Sequence, residues 1–162
     1  MEHSSSQILE GRSDCKSCVQ ALIDAATMRI YLITQHLEPE VYNYKEIYQS
    51  MTALVLENKK ADIRILTHDS RIGSYKGHYL IQLAQKLPSF VQVRTTVTPI
   101  HQKFGESWLI VDDAAFMRIK VPSRFEGYFD TDNRLDCRSM IDTFKEMWEA
   151  SDPDQNTRRL NL

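Results

Sequence analysis

The segment Ile100–Asp113, IHQKFGESWLIVDD, decides how this chain is read. It holds a His-x-Lys pair, His101 and Lys103, then a polar break over Gly105–Ser107. An apolar run, Trp108 to Val111, follows and ends in Asp112 and Asp113. In an extended chain, residues two apart share a face. The imidazole and the ammonium are therefore expected side by side, a pairing suited to phosphate. The apolar run predicts a strand from Trp108 to Asp112. Asp112-Asp113 reads as a tight turn into a second strand, Ala115–Ile119, which makes a hairpin.

Toward the N-terminus the pattern alternates between helix and strand. Phe90–Thr95 (FVQVRT) and Asp62–Thr67 (DIRILT) alternate polar and apolar residues as half-buried strands do, and Met28–Thr34 (MRIYLIT) reads as a strand buried on at least one face. Helices are predicted over about Ser74–Leu87, over Asn43–Asn58 with Asn43 and Glu46 in a capping-box-like pair, and over Cys15 to about Thr27. Gln35–Tyr42 and His68–Gly73 read as loops, and residues 1–12 as a flexible arm. Toward the C-terminus, Tyr128–Asp130 is a candidate edge strand. Asp136–Ala150 shows a helical stripe of Cys137, Met140, Ile141, Phe144, Met147 and Trp148. No internal repeat or linker is visible. Residues 13–162 are therefore expected to form a single α/β domain, with a mixed, mainly parallel sheet between helices.

The chain has 162 residues, enough to bury a core without disulfides or metals. A net charge of −2 does not support a nucleic-acid partner recruited by bulk charge. No apolar run is long enough for a membrane span. The N-terminus lacks a signal pattern, and three cysteines without disulfide spacing suggest a reducing, cytoplasmic setting. Cys15-x-x-Cys18 at a helix start is a candidate redox pair or metal half-site, with core packing as the competing explanation. His68, Arg71, Lys76 and His78, around the loop after DIRILT, are candidate ligand contacts, because α/β proteins place ligands at strand ends. Arg158 and Arg159 could contact a partner or only solvate the tail.

These segments together resemble one repeat of the phospholipase D-like superfamily. There a His-x-Lys segment enters a strand, and four residues separate the lysine from an aspartate. HQKF and LIVDD are similar to that signature, RIYLITQHLE and ADIRILTHDS to the early strands, and DNRLDCRSMIDTFKEMWEAS to the closing helix. More narrowly, the chain resembles an uncharacterised bacterial family with a degenerate version of the fold and an Arg-Arg-Leu-like tail. The resemblance implies His101 as nucleophile, Lys103 as phosphate clamp and Asp112 as the group orienting the imidazole. One histidine cannot both attack phosphorus and protonate the leaving group, so a single repeat would need a homodimer with two His101 side chains at the dyad.

The departures are specific. Counted from Lys103, the signature aspartate falls on Trp108, and the Gly-Ser-x-Asn segment expected after the strand is replaced by RIKVPS at 118–123. The leading expectation is a catalytically degenerate module that binds a partner or a phosphate-containing ligand. The alternative is a homodimeric, metal-independent phosphodiesterase of nuclease or phospholipase type, working through a phosphohistidine. Neither reading calls for a cofactor or a metal.

Overall fold

The computed structural model describes residues 6–71, 73 and 77–157. In chain order its elements begin β1 (Gln7–Glu10), α1 (Arg12–Asp24), β2 (Arg29–Thr34), α2 (Pro39–Tyr42), α3 (Lys45–Glu57), β3 (Asp62–Thr67) and α4 (Tyr79–Lys86). They continue with β4 (Val91–Thr96), α5 (Pro99–Gln102), β5 (Ser107–Val111), β6 (Ala115–Val121), a 3-10 turn (Pro122–Arg124), β7 (Glu126–Asp130), α6 (Arg134–Glu149) and β8 (Ser151–Pro153).

The eight strands form one sheet in the order β1-β7-β6-β5-β2-β3-β4-β8. Helices cover both of its faces. Alternation along β2 sends Ile30 and Leu32 to one face, where they pack with Val19 and Leu22 of α1, Met51 of α3 and Leu80 of α4. Tyr31 and Ile33 point the other way, onto Cys137, Met140, Phe144 and Trp148 of α6. The α6 stripe read from the sequence is thus the cover of that second face. Tyr31 stacks on Phe144 at 4.6 Å between centroids, and Phe144 on Trp148 at 5.6 Å. Fully burying side chains of this size contributes about 2 kcal/mol each.

The α/β class and the mixed, helix-covered sheet agree with the sequence reading, but the balance of directions does not. Among the described residues only β2–β3 and β3–β4 pair in parallel; the other pairings are antiparallel. The reason is the hairpin and its continuation. Asp112 and Asp113 both take positive φ, 55° and 58°, in the tight turn Asp112–Ala114 that joins Val111 to its partner Ala115. That turn sets β6 antiparallel to β5, and β7 follows by another reversal.

Residues 7–10 correct the expected arm over 1–12. They form β1, paired with β7 from Gln7↔Phe129 to Glu10↔Glu126, and Leu9 is buried. The strand is too short, and too polar at Gln7 and Glu10, to show as a periodic pattern. Gly127 opposite it has no room for a side chain, since a Cβ there would lie 1.8 Å from the Arg118 carbonyl oxygen. The tail also joins the sheet, with β8 lying against β4. Asn43 does not cap α3; its side-chain oxygen accepts from the Tyr79 amide instead. Lys76, Arg158 and Arg159 lie outside the described residues. No helix among the described residues is long and apolar enough to cross a membrane.

Candidate functional site

The carboxyl ends of the parallel strands β2, β3 and β4 meet the entry to β5 at one edge of the sheet, and most of the candidate residues gather there. Thr34 and Gln35 end β2, His68 follows β3, His101 sits in α5 after β4, and Gly105–Ser107 leads into β5.

His101 and Lys103 are not side by side on a strand. Pro99 starts a helical turn over Pro99–Gln102, and Lys103 follows as its C-cap. Residues two apart on a helix diverge. The exposed Lys103 therefore does not flank the imidazole as an extended segment would place it. The His101 Nδ1 lies 2.8 Å from the Thr98 hydroxyl, and its Nε2 lies 3.9 Å from a Glu146 carboxylate oxygen on α6. Glu146 is an acid near this ring that the sequence reading missed.

Asp112 is not brought to His101. It follows the far end of β5, and a five-residue strand spans roughly 16 Å. Its carboxylate instead receives the backbone amides of Thr27 (2.7 Å), Met28 (2.8 Å) and Arg29 (2.8 Å), plus the Thr27 hydroxyl (3.0 Å). Partial burial opposes ionisation, but these donors outweigh it and hold the acid below its usual pKa. Next to it, Asp113 pairs with Arg29 at 2.6 Å. The two aspartates fasten the hairpin to the start of β2.

His78 is engaged within the fold. It is buried, its Nδ1 accepts from the Leu80 amide as the N-cap of α4, and its Nε2 donates to the Leu37 carbonyl at 2.8 Å. Burial lowers its pKa to about 4, so the ring is neutral near pH 7. Both nitrogens of His68 are engaged as well, Nδ1 with the Thr96 hydroxyl (2.7 Å) and Nε2 with the Phe104 carbonyl (2.9 Å). Gln35 donates to the carbonyls of Phe104 and Glu106. His68 and Gln35 together pin the segment before β5 onto the sheet edge. Arg71 is exposed and forked onto Asp69, whose pKa its hydrogen bonds lower to about 2.

At the centre of the edge stands Glu38, a second residue missed in the sequence. It is buried, and its carboxylate accepts from the amides of Gln35 (2.7 Å) and His36 (3.2 Å) and from the Ser107 hydroxyl (3.2 Å). Beside it the Tyr42 hydroxyl is buried with no hydrogen-bond partner among the described residues. Burial, and then the Glu38 charge, push that phenol well above the usual tyrosine range. The one sequence signal for Glu38 was its place between a strand end and Pro39, where a short helix begins.

The cysteines form no reactive centre. Cys15 and Cys18 are buried, and desolvation raises their pKa values to about 11 and about 12; Cys137 is likewise raised to about 12. Among the described residues no group of histidine, cysteine and carboxylate side chains could hold a metal ion. A thiol reagent added to the native protein is expected to label none of the three until denaturant is present. Rapid labelling of Cys18 in the native state would contradict this placement.

Sheet order, helical cover and strand edge define an α/β fold of the phospholipase D type. Solved structures agree in fold. A phospholipase D family member, Nuc from Salmonella typhimurium, superposes with a TM-score of 0.65 at 14% identity, covering 93% of this chain and 97% of that one. TrmBL2, described as an archaeal chromatin protein with a novel mode of DNA binding, gives 0.67 at 14% identity over 95% of this chain. Phosphatidylserine synthase from Haemophilus influenzae Rd KW20 gives 0.66 at 16% identity over 99% of this chain. This chain spans 56% of the chromatin protein's length and 41% of the synthase's. No curated protein matches it. Residues 11–160 match the family described as Domain of unknown function (DUF7931), and the chain belongs to that family.

Proposed function

We propose that this chain is a phospholipase D-like binding module in which phosphodiester chemistry has been lost. The observation that carries the reading is the Glu38–Ser107 contact. Counted back from Asp112 across Trp108–Val111, the signature lysine falls on Ser107 and the signature histidine on Gly105. A lysine at the first position would be a cation for phosphate oxygens. Ser107 is instead buried and donates to Glu38, so an anionic carboxylate stands where an anion would have to bind. Like charges at close range oppose that binding. Glycine at 105 offers no nucleophile. Fold likeness does not restore the chemistry, because one fold carries many functions.

The competing reading is a homodimeric phosphodiesterase using His101, with Thr98 and Glu146 as its neighbours. The two separate in one assay, metal-independent release of nitrophenolate from bis(p-nitrophenyl) phosphate. The binding reading expects no rate above buffer and no difference between the wild type and His101→Ala. Turnover that disappears in His101→Ala would overturn it.

A further inference from the structure

We infer that the cleft between α1, α2 and the 3-10 turn takes a short zwitterion, its acid group on Arg12 and its ammonium on Glu40. This names a ligand class for the binding edge proposed above and rests on that reading. The open cleft offers about 490 Å³, within the range of small-molecule sites, and is lined by Arg12, His36, Glu38, Glu40, Gly105 and Ser123.

Two of its charges are unneutralised. Glu38 is already engaged by amides and by Ser107, but among the described residues neither Arg12 nor Glu40 makes an ion pair, with each other or with a third group. Opposite charges that line one cleft without pairing complement a molecule carrying both signs. Helix stability does not account for Arg12, because a cation in the first turn of α1 opposes the helix dipole. Its guanidinium is placed by the Phe125 ring, 5.3 Å from the centroid. Phe125 itself adopts a left-handed backbone, φ 54°, which is uncommon for an aromatic residue.

The space comes from Gly105. A Cβ there would meet only the Lys103 carbonyl oxygen, at 3.9 Å, so this cleft-lining position has room for a side chain without a clash. Gly105 also lacks the positive φ that would forbid other residues. The position of the signature histidine has thus become room for a ligand.

The test uses γ-aminobutyrate as probe and the full chain, followed by amide shifts in NMR titration and by thermal melting. Butyrate and butylamine at matched ionic strength are the single-charge controls. The zwitterion is expected to give saturable shifts and a higher Tm, and the controls neither. Arg12→Ala and Glu40→Gln should each weaken binding by about tenfold or more. Gly105→Leu should fold normally and block it. The inference fails if neither γ-aminobutyrate nor the longer ε-aminocaproate gives a saturable shift, if the controls match them, or if Arg12→Ala binds as wild type. Phosphodiester turnover in the assay above would instead remove the reading beneath it, so the two failures are distinguishable.

Discussion

Replacing Asp112 by alanine is expected to destabilise the protein by about 4 kcal/mol. Four donors converge on this carboxylate, three of them backbone amides at the entry to β2. Alanine would leave those donors without their acceptor and release the hairpin from Thr27–Arg29. Hydrogen bonds to a charged acceptor contribute about 2 kcal/mol each and do not add fully. Asp112→Asn should recover only part of the loss, since one carbonyl oxygen replaces a two-oxygen acceptor. The pH dependence follows the same logic. The folded-state pKa is depressed, so the stabilisation is present above the unfolded carboxylate pKa and is lost as pH falls through the folded value. Urea denaturation of wild type, Asp112→Ala and His101→Ala would check this. His101→Ala should cost less, about 1 kcal/mol, since its ring makes one side-chain hydrogen bond, to the Thr98 hydroxyl. An Asp112→Ala protein within about 1 kcal/mol of wild type would mean that the clamp contributes little.

The second large effect is acid destabilisation through His78. Its pKa falls from 6.5 to about 4 because the ring is buried, although the hydrogen bond to Leu37 acts the other way. The unfolded chain takes up this proton near pH 6.5 and the native protein only near pH 4. Stability from this group is therefore intact above pH 6.5, declines between pH 6.5 and 4, and levels off below. The full loss is about 3 kcal/mol at 1.4 kcal/mol per pH unit. In His78→Asn that limb should vanish, while the shorter side chain still accepts from Leu80 as an N-cap. The comparison to make is the slope of unfolding free energy against pH in the two proteins. An equal slope between pH 4 and 6.5 in both would assign the acid limb to other groups.

Both predictions rest on a structural task held by a candidate site residue. His78 was a ligand candidate because it follows a strand and a polar loop; in the fold it caps α4 and ties that helix to Leu37. Asp112 was the catalytic orienter; it fastens the hairpin. What stands at the carboxyl ends of the strands is a histidine, His101, held by Thr98 beside Glu146, and a buried carboxylate, Glu38.

The sequence by itself determined the elements whose signal is periodic and local. The alternation in Asp62–Thr67 and Phe90–Thr95, the stripe from Cys137 to Trp148 and the Asp112-Asp113 turn were all legible, because side-chain period follows backbone geometry within a few residues. Only the tertiary structure decided strand direction, the capture of Gln7–Glu10 and the make-up of the candidate site. Those depend on partners distant in the chain: Ser107 lies 69 residues from Glu38, and Asp112 lies 85 from Thr27. A lone His-x-Lys carries no mark of whether Pro99 will wind it into a helical turn, or of which acid will stand beside it. That outcome is set by packing and by which buried polar groups find partners, and neither is encoded at fixed spacing.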